Sequence, residues 1–389
     1  MRDQNIICFS KDWSEDPTSN HHVLTELAKH NNVLWLNSVA TRAPDLSSGR
    51  DLKKIGRKLR EAARGPVRVR DRLWVYTPLV LPAPHSAVAR RLNRHILQLG
   101  LAAIRRRLDL HPVQLWTFLP TVADYLEGFA ASVVVYYCVD EWALFQAVDR
   151  KGVTEAEHRL CRRADVVFAV NQALVERKRQ LNPNTYLAPH GVDHALFARA
   201  LDDATAVPTE LAELPRPVLG FYGTLQNWVD QDLLAELATR RPDWSIVLIG
   251  QELVDTSRLR SHPNIHLLGQ RPHDRLPEYC RGFDLGIIPY SIDERMTFVS
   301  PVKLREYLSA GLPVISTPVA EVRRYPEYCS VADGVAAFER AAALALAQDS
   351  PALRRQRSDA MRSESWEERI RVVGERVMEA QRRVASGEV

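Results

Sequence analysis

Apolar residues in this chain come in short blocks, separated by stretches where they return every third or fourth position. The blocks predict buried strands at Asn5–Ser10, Val33–Asn37, Val113–Thr117, Val133–Tyr137, Val166–Val170 and Thr185–Ala188. Between them the spacing predicts helices over about Asn20–His30, Arg90–Arg107, Thr154–Arg163 and Gln172–Leu181. Strand, helix, strand at such intervals makes βαβ units and therefore a parallel sheet. Arg199–Pro217, with Asp202, Asp203 and three prolines, breaks the alternation and reads as a linker. The alternation then resumes, with strands at Val218–Tyr222, Ile246–Ile249, Ile265–Leu268, Leu285–Ile288 and Val314–Ser316. After Pro351 the chain reads as helix to its end, with Trp366, Ile370, Val373 and Val377 sharing a face. Two α/β domains of Rossmann type follow from this pattern.

The loop after the first strand lacks GxGxxG, which disfavours a nicotinamide dehydrogenase. It carries Lys11, Asp12, Trp13, Asn20, His21 and His22 instead, at the carboxyl edge where such sheets bind ligands. Trp13, Asn20 and His21 are candidates for the acceptor side of a reaction there. In the second half, GFYGTLQNW turns at Gly223 and Thr224, where backbone N–H groups can approach a ligand.

The densest chemistry lies in FVSPVKLREYLSAGLPVISTP, Phe298–Pro318. Ser300 is a natural N-cap and Pro301 a natural first helical residue, with Gly311 as the stop. Leu304 and Leu308 lie four apart and face a core, while Lys303 and Glu306 lie three apart on another face. A helix N-terminus formed by Ser300, Pro301 and Val302, with Lys303 in its first turn, suits a phosphate. One turn deeper, the Glu306 carboxylate can accept from two neighbouring hydroxyls, as on a ribose. Together they describe a nucleotide site; the plain alternative is a capped surface helix with a weak Lys–Glu pair.

Composition adds less. The chain has 389 residues, 46% hydrophobic and 26% charged, as in ordinary two-domain globular proteins. Five scattered cysteines without CxxC spacing suggest a reducing compartment and no zinc site. No signal peptide or membrane-spanning run is visible, so a cytoplasmic location is expected. Charge is uneven. Residues 1–200 carry 29 basic and 20 acidic side chains, a balance of +9; the rest carry 23 and 28, a balance of −5. The basic excess concentrates in residues 50–72, where Leu52, Ile55 and Leu59 recur at helical spacing, and in Arg90–Arg107, with apolar Thr77–Pro84 between. Any one of these segments suits an anionic membrane surface or, equally, a solvated charged face, but three in succession favour a peripheral place at the membrane surface. Nucleic acid is disfavoured, since no aromatics are interleaved.

Single residues keep two readings. Asp140 follows the apolar strand VVVYY and is either a general base at the sheet's carboxyl edge or a helix cap. His22 either shares that catalytic work or starts a helix beside an Asn20 cap. Asp230 and Asp232 spell DxD, but at a helix start they read as acids complementing the dipole. No metal is called for, because Lys303 and the helix dipole can neutralise a leaving diphosphate.

LGIIPY followed by SPVKLREYLSAGLPVIST, with PHGVDHALF earlier and Trp366 opening the last helix, resembles GT-B glycosyltransferases of the bacterial family-4 type, enzymes of surface polysaccharide assembly. The resemblance covers nearly the whole chain. It implies an acceptor domain over 1–198, a linker over 199–217 and a nucleotide-sugar domain over 218–365. Residues 366–389 would form a helix packing back on the first domain, and the two domains would face each other across a cleft. It also implies that Glu306 binds the ribose, Lys303 the diphosphate, that Gln270 and Tyr290 border the base or sugar, and that Asp140 is the acceptor-facing carboxylate. One departure stands out: the position eight before Glu306, a glutamate in many relatives, is Phe298. The implied activity is transfer of a sugar from a nucleotide diphosphate, foremost uridine diphosphate, to a lipid-linked or polysaccharide acceptor at a membrane face. The donor is a co-substrate, and no separate cofactor is expected. An epimerase of the same fold and a nucleotide-sugar-binding scaffold are the rivals.

Overall fold

Strands that are apolar on both faces need cover on both sides, and both sheets of this protein meet that need with helices. A computed structural model describes residues 1–15, 17–39, 49–81, 86–126, 128–145 and 148–388, without the side chains of 49–55 and 87. The chain divides into two units, residues 1–189 with 369–389, and residues 190–368.

The first unit contains β1 (Asn5–Phe9), α1 (Ser19–Ala28), β2 (Asn32–Leu36), α2 (Gly49–Arg64), β3 (Val67–Arg70) and β4 (Leu73–Tyr76). These are followed by α3 (Ala87–Arg107), β5 (Gln114–Thr117), β6 (Val133–Cys138), α4 (Arg150–Arg163), β7 (Val166–Ala169), α5 (Gln172–Arg179) and β8 (Thr185–Leu187). The eight strands lie in the order β3-β4-β2-β1-β5-β6-β7-β8, parallel except for the β3–β4 pair. Order reverses between β1 and β5, which marks the switch point where open α/β sheets bind ligands. β3 and β4 were not expected. VRVR alternates, but it lies inside the basic segment whose helical spacing ends at Arg64.

The second unit contains α6 (His194–Phe197), α7 (Thr209–Ala212), β9 (Val218–Tyr222), α8 (Gln231–Arg240), β10 (Ser245–Ile249), α9 (Ser257–Arg260) and β11 (Ile265–Gly269). Then come α10 (Leu276–Gly282), β12 (Leu285–Ile288), α11 (Val302–Ser309), β13 (Val314–Ser316), β14 (Cys329–Val331), α12 (Val335–Gln348) and α13 (Pro351–Ala360). The six strands are all parallel, in the order β11-β10-β9-β12-β13-β14, with the switch point between β9 and β12. The division at 189/190 falls ahead of the expected 199–217 linker. The reason is packing: Phe197, Ala200 and Leu211 are buried in the second core, and Phe197 stacks on Tyr222 at 6.3 Å.

The last helix, α14 (Trp366–Ser386), starts in the second unit, where Trp366 lies against Gly191. From Arg369 onward it belongs to the first unit. There Gln381 accepts from Gln114 at 2.7 Å and Asn184 accepts from Arg383 at 3.2 Å. Among the described residues no helix is long and apolar enough to cross a membrane.

Candidate nucleotide-sugar and acceptor sites

In the second unit the expected residues gather at the carboxyl ends of β9 and β12. β9 is buried throughout and ends at Gly223, whose φ of +133° few side chains adopt. A Cβ there would lie 2.9 Å from Lys303 Nζ, and a Cβ on Gly250, at the end of β10, would lie 2.1 Å from the Gly223 carbonyl oxygen. Bare glycine backbone therefore lets the turn and the lysine close up.

α11 supplies the other wall. Its N-cap is Pro301, with a non-helical ψ of 116°, so the helix begins at Val302 and Ser300 is not the cap. Ser300 is buried instead, and its hydroxyl has no hydrogen-bond partner among the described residues. Leu304, Tyr307 and Leu308 are fully buried and anchor the helix. At the far end Gly311, with φ +80°, lets the Leu312 N–H reach the Tyr307 carbonyl at 2.9 Å. Lys303 donates to the Tyr290 hydroxyl at 2.7 Å and stands 4.5 Å above the Phe221 ring. Helix N–H groups, an ammonium and a glycine turn thus converge, the usual equipment for a phosphate.

One turn along, Glu306 is buried with both oxygens engaged. Tyr222 donates to Oε2 at 3.0 Å, and His273 Nε2 lies 3.0 Å from Oε1. Burial pulls the His273 pKa down, but its hydrogen bond and charge pairing with Glu306 outweigh that, and the net shift is upward. Each carboxylate oxygen can accept twice, so the outward lone pairs of Glu306 remain for a diol. The sequence reading missed Tyr222, the last residue of β9, and His273, in the turn after β11, although both lie at the carboxyl ends of strands, where such sheets bind ligands. Gln270 is exposed directly after β11, and Tyr290 is buried with its N–H on the Thr317 hydroxyl at 3.1 Å. Thr224 follows the Gly223 turn, half-buried. Asp230 caps α8 by accepting from the Leu233 N–H at 2.9 Å, and Asp232 pairs with Arg258.

In the first unit the loop after β1 is mostly structural. Thr18, not Asn20, precedes α1; Asn20 is buried inside the helix and donates to the Ser10 hydroxyl at 2.9 Å. His21 accepts from the Thr18 N–H at Nδ1 and reaches the Trp13 carbonyl at 3.1 Å through Nε2, so both nitrogens serve the fold. Burial lowers its pKa to about 4, keeping the ring neutral. Trp13 packs at a tilt against His21 and edge-on against Trp35, while its backbone N–H donates to Asn37. His22, next on α1, is half-buried. Asp12 is buried beneath α2: Ser38 donates to it at 2.6 Å and Lys58 at 3.3 Å. Burial alone would raise its pKa, but these donors prevail and lower it. Two cations read as facing a membrane, Arg57 and Lys58, therefore turn towards Asp12. Leu52, Lys53, Lys54 and Ile55 have side chains outside the described residues, as does Pro82–Pro84 as a whole.

Asp140 is different. It follows β6, and its carboxylate has no hydrogen-bond or ion-pair partner among the described residues; α4 is capped by Asp149, so Asp140 is not that cap. Burial raises its pKa to about 7. Its neighbours are clamped. The Cys138 thiol donates to the Asp140 carbonyl at 3.3 Å, and Glu141 is held by buried Lys178 at 3.1 Å and by Arg177 at 3.2 Å. Lys178 also reaches Glu157 at 2.7 Å, which accepts from the Tyr136 hydroxyl at 2.6 Å. The sequence offered one unused signal here: Lys178 falls four residues after Leu174, on the apolar face of α5.

Residues 216–353 match the family model described as Glycosyl transferases group 1. Over 222 residues the chain is 28% identical to a Bacillus subtilis (strain 168) protein named as the teichuronic acid biosynthesis glycosyltransferase TuaH, covering 52% of this chain and 55% of that relative. The chain thus spans about half the length of the curated relative it matches. Among solved structures it resembles sucrose-phosphate synthase of Thermosynechococcus elongatus (TM-score 0.67, 15% identity, 96% of this chain and 98% of the other). It also resembles Anabaena HepE in complex with UDP and glucose (TM-score 0.58, 13% identity, 99% of each chain). A Burkholderia xenovorans trehalose-phosphate synthase is similar too (TM-score 0.63, 14% identity, 98% and 99%). With the doubly wound sheets, these likenesses make this a protein of the GT-B fold whose residues 216–353, in the second unit, match the glycosyl transferases group 1 model.

Proposed function

We propose that this chain is a glycosyltransferase that moves a sugar from a uridine diphosphate donor to a hydroxyl of a glycan or lipid-linked precursor at an anionic membrane surface. The observation that carries the reading is the convergence of Lys303, the N-terminus of α11 and the Gly223 turn, one helical turn from Glu306. The family match over this unit, the UDP bound by HepE and the polysaccharide context in the name TuaH support it.

In this reading the ribose hydroxyls donate to Glu306, held in place by Tyr222 and His273. The diphosphate meets the first-turn N–H groups of α11 and Lys303, with the Ser300 hydroxyl and the Thr224 backbone at its edge and Gln270 and Tyr290 beside the base or sugar. As the glycosyl–phosphate C–O bond breaks, charge grows on the departing diphosphate and the lysine and helix dipole stabilise it. The acceptor oxygen bonds to the anomeric carbon, and Asp140 takes its proton. A carboxyl with its pKa near 7 suits that transfer.

Calorimetric titration tests the donor half. Wild type should bind UDP, Lys303→Met should bind it at least about tenfold more weakly, and uridine should bind both alike. UDP affinity unchanged by Lys303→Met overturns the assignment.

A further inference from the structure

The outward side of α3 carries Val88, Leu92, His95, Leu99, Ala102 and Arg106, all exposed. Steps of four and three residues stack them in one line along the helix. Val88 is 77% exposed, Leu99 74% and Leu92 47%, while Leu97, Leu101 and Ile104 are buried on the opposite side. The helix thus docks by one apolar face and leaves a second uncovered. Beside it lies exposed Leu81, whose backbone is gripped by Asn93: the amide donates to the Leu81 carbonyl at 2.9 Å and accepts from its N–H at 2.6 Å.

The charge along this helix has one sign. α3 contains six arginines and no Asp or Glu. Arg90 reaches Asp124 at 3.3 Å and Arg105 reaches the Ala130 carbonyl at 3.4 Å. Arg91, Arg106 and Arg107 meet no carboxylate among the described residues.

We infer that this face of α3, with Leu81, is the seat for an anionic lipid surface. It rests on the membrane-acceptor part of the reading above and assigns it a place. Leu and Val on the stripe enter the boundary between head groups and chains, and the arginines stay among the phosphates. A second copy fits worse, because the arginines of one α3 would meet no acid on the other.

The test sediments the full-length protein with vesicles of phosphatidylcholine, with and without phosphatidylglycerol. Wild type should bind the anionic vesicles at least about tenfold more tightly, and raised salt should weaken that binding. Val88→Ser/Leu92→Ser/Leu99→Ser and Arg91→Gln/Arg106→Gln/Arg107→Gln should each lose at least about tenfold. Arg60→Gln/Arg64→Gln on α2 should lose less than about twofold. Melting curves check that these surface changes leave the fold intact, and Leu99→Ser serves as a single-site variant should the triple unfold. Equal binding of wild type to both vesicles, or undiminished binding of the triple serine variant or of Leu99→Ser, overturns the inference. So does a wild-type dimer in analytical centrifugation that the serine variant dissolves while vesicle binding persists. UDP titration of the same variants should match wild type. Intact UDP binding without vesicle binding removes the docking face and leaves the transferase reading standing.

Discussion

Asp140→Asn should make the protein more stable and almost inactive. Burial raises the Asp140 carboxyl from 3.8 to about 7, so in the folded state the ionised form is the disfavoured one. At about 1.4 kcal/mol per pKa unit, ionising it in place costs about 4 kcal/mol. Asp140 is partly exposed, and solvent screening reduces that to about 2 kcal/mol. The sign follows from the folded pKa lying above the unfolded one. The cost is absent below about pH 4, grows as pH rises towards 7, and is complete above it. Asparagine keeps the size and cannot ionise. The variant should therefore gain about 2 kcal/mol over wild type at pH 8, and progressively less as pH falls towards 4. For a unit of this size the gain at pH 8 is roughly 4–8 °C in Tm. Turnover, followed as UDP release from the donor with water or glycan accepting the sugar, should fall about 100-fold or more. Wild-type kcat should climb with pH below 7 and level off above it. A variant with near-normal turnover places the base elsewhere, with His22 next to test. A variant no more stable at pH 8 than at pH 5, relative to wild type, refutes the burial argument itself.

Other outcomes follow from the same contacts. Glu306→Ala should weaken UDP binding by roughly 1.5–3 kcal/mol, the range for hydrogen bonds to a charged group, as read by calorimetry. His273→Ala should lower the melting temperature more at pH 6 than at pH 9, because the raised His273 pKa means the pair with Glu306 stabilises at low pH and is lost as pH rises through the folded value. Gly223→Ala should weaken UDP binding, since the new Cβ would stand 2.9 Å from Lys303 Nζ; an unchanged affinity would show the turn plays no part. Lys178→Met should destabilise the first unit by about 3–5 kcal/mol in denaturant titration, because it leaves Glu141 and Glu157 buried without their cation.

Much of the fold was legible because buried parallel strands announce themselves. VVVYY, VLGFY and SIVLI are apolar on both faces, and only cover on both sides accommodates that. β3 and β4 were not, since VRVR and LWVY earn their strand state by pairing with each other and with β2 rather than by any local run. Ser300 shows the limit at one residue. By type it is a good cap, but proline's backbone took that place and left the serine hydroxyl buried.

The sequence alone determined where the buried strands and most of the helices between them fall, and the shared face of Lys303 and Glu306, because these depend on spacing within one element. Tertiary structure decided which polar groups spend themselves on the fold and which stay available. His21 and Asn20 read as acceptor-side residues until the Trp13 carbonyl and the Ser10 hydroxyl claimed them. Glu306 is held by Tyr222 and His273, 84 and 33 residues away, partners that no local spacing reveals. Asp140 loses its reading as a cap because Asp149 holds that place on α4, while Lys178 reaches across 37 residues to Glu141 rather than to it. Availability depends on burial and on partners distant along the chain, and neither is set by local spacing.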